Sequence, residues 1–267
     1  MPTKHLHLDE DTAIHVVHAG VSTLPHLPPP LGSGVALVFL HGEGGSAALW
    51  SRQIAHFARA HSPVAIDLPG HGRSTGLDAP ASVADAAATV AAVLTALQAP
   101  PAVLVGHGLG GQVALATALR QPDRVRAVVT IGTAASPAIA PALVEQLEKI
   151  VQGRLGQQFD TPFFGSSPDM AVMREFWGEM VKTDPRVRLG DVRAYRASDL
   201  RGALRSLAKP VLVVHGADDR MCERTKAEEL AAAIPRARLV VVAGGGHVVH
   251  LEQAEAVNRA IEEFVAA

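Results

Sequence analysis

The residues that could do chemistry sit at the ends of apolar runs. His247 follows Gly244-Gly245-Gly246, Asp218 and Asp219 follow His215-Gly216-Ala217, and Glu43 lies within His41-Gly42-Glu43-Gly44-Gly45. A carboxylate that accepts the Nδ1 proton of a histidine fixes its tautomer and stabilises the imidazolium, leaving Nε2 to take a proton from a reactant. The 28 positions from Asp219 to His247 leave room for one helix and one strand between such partners. A further segment, 102–112, reads as a strand, a sharp glycine turn and a helix start. In that context G-x-S-x-G lifts a nucleophilic serine above a sheet at a helix N-terminus. Here the central residue is Gly108, which has no hydroxyl, so the acyl-enzyme route is closed to this chain. His107 precedes the turn and should point elsewhere, and Ser46 lies beyond the 42–45 loop, so neither stands in for the serine.

The elements that must position these residues alternate. Val35 to Leu40, Val64 to Asp67, Val103 to Val105, Val125 to Ile131, Val211 to His215 and Leu239 to Val242 are short runs rich in Val, Leu and Ile. Strands of a parallel sheet, covered on both faces, read this way. Alanine-rich segments between them, such as Val83 to Gln98, Gln112 to Arg120 and Ala227 to Ile234, suit crossover helices, and the class is α/β. Ahead of them, His5 to Leu8 and Ile14 to Ala19 alternate like antiparallel strands at the sheet's edge. Histidines there are expected to face solvent.

Composition narrows the function. The 24 basic and 26 acidic side chains among 267 residues give no excess that would hold a polyanion, so nucleic acid is not an expected partner. No apolar run approaches the roughly 20 residues that span a bilayer, and the first residues carry no apolar leader core, so neither membrane nor export is expected. One cysteine, Cys222, forms no internal disulfide and fits a reducing compartment; cytoplasm is the expected location. Thirteen histidines invite a search for metal sites, but neither H-E-x-x-H nor paired C-x-x-C occurs, and no catalytic metal is expected. Gly106-x-Gly108-x-x-Gly111 also matches a dinucleotide fingerprint. That site would want an acidic residue at the end of the following strand, which ends instead in Gly132 and Thr133. No cofactor is expected.

Taken together, these segments resemble the α/β-hydrolase superfamily, in particular its lidded esterase, lactonase and carbon–carbon hydrolase branch. The likeness covers nearly the whole chain outside one insertion. It implies a mostly parallel eight-stranded sheet flanked by helices, with residues 1–133 and 199–267 as core and 134–198 as a helical lid. It places the acid third after the glycine, which favours Asp219 over Asp218 as partner of the base His247. The HG loop implies an oxyanion hole made by the backbone N–H groups of Glu43 and Leu109. Asp67-Leu68-Pro69-Gly70-His71-Gly72-Arg73-Ser74 is similar to a structural turn of the family and carries no chemistry. Haloalkane dehalogenases share the HGE triplet but carry aspartate at the elbow, so dehalogenation is not expected.

Within 134–198 the strand rhythm vanishes and aromatic and methionine side chains gather. Phe163, Phe164, Met173 and Trp177 are the expected substrate contacts, on the apolar inner face of a lid. Three readings of Gly108 remain open. It marks a disarmed serine enzyme, or a protein that uses His247 and Asp219 as a general base on water, or a ligand-binding member without turnover. The Glu43 side chain is expected to turn outward, since a carboxylate facing an oxyanion hole repels developing negative charge. The expected partner is a small ester, lactone, amide or enol-type substrate, bound by a monomer or homodimer.

Overall fold

The computed structural model describes residues 1–159 and 161–267. The chain opens with the antiparallel pair β1 (Thr3–His7) and β2 (Ala13–His18). It then alternates through β3 (Ala36–Leu40), α1 (Ser51–Phe57), β4 (Ser62–Ile66), α2 (Val83–Ala96), β5 (Ala102–His107), α3 (Leu109–Arg120) and β6 (Val125–Ile131). The helices α4 (Pro141–Val151), α5 (Met170–Met180) and α6 (Pro185–Ala197) follow. The chain ends with β7 (Val211–Gly216), α7 (Arg224–Ala233), β8 (Ala237–Val242), α8 (Val249–Glu252) and α9 (Ala254–Ala266).

Eight strands form one sheet in the order β1-β2-β4-β3-β5-β6-β7-β8, antiparallel at β1/β2 and β2/β4 and parallel from β4 to β8. Every residue of β3, β5 and β7 is buried, which is why these strands read as unbroken apolar runs. Side chains alternate between the faces: Val38 and Leu40 join the core under α2 and α3, while Leu37 and Phe39 join the core under α1 and α9. The chain runs from β3 outward to β4 and then back across β3 to β5. The loops after β3 and β5 therefore leave the same end of the sheet in opposite directions, the place where open α/β sheets form a crevice.

The N-terminal histidines divide by strand. His5 and His7 on the edge strand β1 are exposed, whereas His15 and His18 on β2 are buried, since β2 has a neighbour on each side. The expectation that they all face solvent fails for this second pair. His15 Nδ1 instead lies 2.8 Å from Asp67 Oδ2.

Between β6 and β7 no strand occurs among the described residues. Side-chain caps from Asp169 to the Ala171 N–H and from Asp184 to the Arg186 N–H start α5 and α6, and Pro185 occupies the first turn of α6. Leu147 of α4 packs with Leu189 and Val192 of α6. Phe176, Trp177 and Met180 of α5 pack with Phe164, Leu49, Val248 and Leu251, which ties this segment to the loops at the crevice. No described helix is long and apolar enough to cross a membrane.

Candidate active site

Two loops bring a histidine and an aspartate together. After β7 the chain turns so that Asp219 Oδ1 accepts the N–H groups of Met221 (2.8 Å) and Cys222 (2.9 Å), leaving Oδ2 to face the loop after β8. There it lies 2.9 Å from His247 Nδ1. Both side chains are buried. Burial alone would push each toward its neutral form. The facing charge and hydrogen bond prevail, holding Asp219 below the usual carboxylate range and raising His247 above the ordinary imidazole value. Asp218 faces elsewhere: its Oδ2 accepts the Ser166 N–H at 3.1 Å and hydroxyl at 2.9 Å. The His107 ring lies 4.7 Å from that of His247, tilted by 59°, and its Nε2 donates to the His247 carbonyl at 3.1 Å.

The turn between β5 and α3 has φ +52° and ψ −117° at Gly108, a conformation that costs any residue with a Cβ. It is tightly held. The Gly108 N–H donates to the Ile131 carbonyl at 3.0 Å, and the Gly108 carbonyl accepts the Gly111 N–H and the Thr133 hydroxyl, each at 3.1 Å. At Gly106 a Cβ would meet the Gly110 carbonyl oxygen at 2.1 Å, so the strand enters its helix this sharply only without a side chain there.

The space above Gly108 is occupied. A Cβ at that position would lie 2.7 Å from Glu43 Oε2, so the Glu43 side chain turns inward, contrary to the sequence expectation. The next residue, Gly44 (φ +67°), packs so closely on Arg188 and Met180 that a Cβ there would meet each at 3.1 Å. Burial pushes the Glu43 carboxyl above its ordinary range, against the pull of its own N–H, His247 and the Leu109 N–H. The two N–H groups read from sequence as oxyanion donors thus engage the Glu43 carboxylate.

A polar clasp fixes this loop to α6. Asp191 Oδ2 accepts the Gly44 N–H at 2.8 Å, and Thr183 Oγ1 donates to the Gly44 carbonyl at 2.8 Å. The same Asp191 oxygen lies 2.7 Å from His71 Nε2, while His71 Nδ1 donates to the Pro69 carbonyl at 3.0 Å. Both ring nitrogens face acceptors, and although burial opposes charge, Asp191 raises His71 above the ordinary imidazole value. Ser46 is placed away from the elbow and donates to Glu179 Oε2 at 3.0 Å. Asp67, in the turn read as structural, accepts the Ala47 N–H (2.6 Å) and the Arg73 N–H (3.0 Å).

A cavity of about 450 Å³ opens onto Glu43, His107 and His247 and runs between α4, α5 and α6, with Leu143, Phe176, Val192 and Tyr195 on its walls. Of the four expected substrate contacts, Phe163 lines it, its ring centroid 6.0 Å from that of His247 and tilted by 59°. Phe164, Met173 and Trp177 do not line it; they pack within the aromatic cluster beneath α5. Phe176 and Met180, four apart on α5, face the cavity, and Met173 and Trp177, also four apart, form the adjoining stripe. Sequence reasoning also missed Tyr195, whose hydroxyl accepts the Ala134 N–H at 3.4 Å and which burial keeps a neutral phenol. Arg188, Arg220 and Lys226 border the same space. Among the described residues, no cluster of three or more His, Cys, Asp or Glu is disposed to hold a metal ion.

A family model described as alpha/beta hydrolase fold matches residues 35–254. A pimeloyl-[acyl-carrier protein] methyl ester esterase from Stenotrophomonas maltophilia is 31% identical, over 88% of this chain and 95% of its own. An (E)-2-((N-methylformamido)methylene)succinate hydrolase from Acinetobacter baylyi is 28% identical, over 88% of this chain and 91% of its own. Among solved structures, the enol-lactonase from Burkholderia xenovorans LB400 superposes with a TM-score of 0.86 at 24% identity, covering 97% of this chain and 98% of that one.

Proposed function

The chain belongs to the α/β-hydrolase family, and from that membership we propose that it cleaves a small ester, lactone, amide or enol-type C–C substrate by direct addition of water, with no covalent serine intermediate. The observation that carries this reading is the buried His247–Asp219 pair, 2.9 Å apart, facing the cavity beside a turn that bears no side chain. Asp219 orients His247, and His247 moves the proton between water and leaving group. The cavity's volume suits a small molecule. Residues 134–198 are the lid over it. The named activities of two relatives, on a methyl ester and on a formamido-methylene succinate, support carbonyl chemistry. The Glu43 and Leu109 N–H groups are the proposed oxyanion donors, available once the Glu43 carboxylate releases them.

A second reading, a serine enzyme that has lost its nucleophile, draws on the φ and ψ of Gly108, which keep the turn in the shape that would present a hydroxyl. The inward Glu43 carboxylate favours the first reading, because it fills the space such a hydroxyl needs. The test is turnover of short-chain p-nitrophenyl esters, simple alkyl esters and lactones by the chain and its His247→Ala variant. Activity that falls at least a hundredfold with His247→Ala is expected; turnover indifferent to that change overturns the proposal. Ligand-induced stabilisation without any product marks a binding protein instead.

A further inference from the structure

We propose that Glu43 is a catalytic carboxylate, the group that receives the proton of the attacking water at the place where the elbow lacks a hydroxyl. The inference rests on the hydrolytic reading above and divides its proton chemistry between two residues. Three observations carry it. Glu43 Oε2 stands 2.7 Å from the Cβ position of Gly108, so the carboxylate occupies the space over the turn. It borders the cavity together with His247. Its backbone is held from behind, through Gly44, by Asp191 and Thr183, so the side chain is directed inward by the loop that bears it.

Other charged and titratable groups face it from every side. His247, with Asp219 behind it, comes from the loops after β8 and β7; Asp191 and Tyr195 come from α6; Cys222 follows the acid loop; and Arg188 packs on Gly44. Although burial opposes charge on it, Asp219 and Glu43 raise His247 above the ordinary imidazole value, which suits it to hand a proton to the leaving group. Glu43, less acidic than a solvated carboxyl because it is buried, is the better acceptor.

The step balances as follows. An O–H bond of water breaks as its oxygen bonds to the substrate carbonyl carbon, and the proton passes to Glu43 Oε2. The bond to the leaving group then breaks, the leaving atom keeps the electron pair, and His247 supplies its proton. Transfer from the Glu43 carboxyl to His247 Nε2 restores the site. The N–H groups of Glu43 and Leu109 face one negative charge throughout. Before attack it is the carboxylate; as Glu43 takes the proton, the charge reappears on the substrate oxygen, and the donors pass to it.

The test compares Glu43→Gln, Glu43→Ala and His247→Ala on a p-nitrophenyl ester and on an alkyl ester of the same acid. Glu43→Gln is expected to lower kcat about 10²- to 10⁴-fold on both, with little change in KM and loss of the acidic limb of the pH profile. Added formate is expected to restore part of the Glu43→Ala rate. His247→Ala is expected to cost more on the alkyl ester, whose poor leaving group needs a proton, than on the p-nitrophenyl ester. Undiminished or faster turnover by Glu43→Gln overturns the proposal and marks the carboxylate as a plug. Turnover indifferent to His247→Ala overturns the hydrolytic reading instead. A readout that needs no turnover is the NMR titration of His247: Glu43→Gln should lower its pKa, and an unchanged titration also overturns the proposal.

Discussion

Replacing Gly108 by serine measures where the Glu43 carboxylate stands, whatever the substrate. The backbone at 108, φ +52° and ψ −117°, costs a residue with a Cβ about 1–3 kcal/mol. A Cβ 2.7 Å from Glu43 Oε2 adds a second cost, because the carboxylate must withdraw and leave the Glu43 and Leu109 N–H groups, at roughly 1–3 kcal/mol for hydrogen bonds lost in a buried place. Gly108→Ser should therefore destabilise the chain by roughly 2–6 kcal/mol, or about 4–12 °C in Tm at about 2 °C per kcal/mol for a chain of this size. With Glu43→Ala in the same chain the second cost disappears and the first remains. Urea unfolding of the wild type, both single variants and the double variant forms a cycle whose coupling should be at least about 1 kcal/mol in favour of the double. Fluorophosphonate labelling of the Gly108→Ser chain should also quicken when Glu43→Ala accompanies it. Additive destabilisation, within about 0.5 kcal/mol, would refute the placement of the carboxylate and the reasoning built on it.

The aromatic segment should separate by role. Phe163→Ala is expected to raise KM severalfold with a small loss of Tm, whereas Trp177→Ala, buried off the cavity, is expected to cost about 3–5 kcal/mol of stability; the reverse ranking in parallel melts and kinetics would contradict the assigned walls. Acid stability should follow two buried histidines, His41 and His250, which burial lowers from 6.5 to about 4 and about 3. Below pH 6.5 the unfolded chain binds the protons that these rings refuse in the fold, so stability falls with pH by about 1.4 kcal/mol per unit for each, until the folded values are reached. Urea midpoints that stay level from pH 7 to pH 5 would contradict it.

Much of this architecture was legible because its signals are local. Six apolar runs name the central strands, and a strand that ends in Gly106-His107-Gly108-Leu109-Gly110 announces its sharp turn without any knowledge of its neighbours. Asp219 and His247 likewise sit beside glycines that mark their loops. What the sequence hid depends on residues far apart. The direction of Glu43 is settled by Thr183 and Asp191, about 140 to 150 positions away, and nothing near residue 43 foretells them. The burial of His15 and His18 requires knowing that β2 is second in the sheet and not at its edge. The aromatic enrichment of 159–180 was plain, but composition does not say which stripe of α5 meets the cavity and which meets the protein beneath.

Gly44 donates its N–H to Asp191 and accepts the Thr183 hydroxyl at its carbonyl, and this bears on how the chain can be recombined with others. The stretch that carries Thr183 and Asp191 is therefore tied to the loop at Gly44. A chimera whose replacement segment lacks a threonine and an aspartate at the places of Thr183 and Asp191 loses both anchors of Gly44 and the carboxylate that faces His71, and so frees the loop whose side chain lies over Gly108. The opposite graft must carry Thr183 and Asp191 into a host that already has a histidine at the place of His71. Shuffling libraries built on this scaffold should therefore draw segments 41–71 and 183–191 from the same parent.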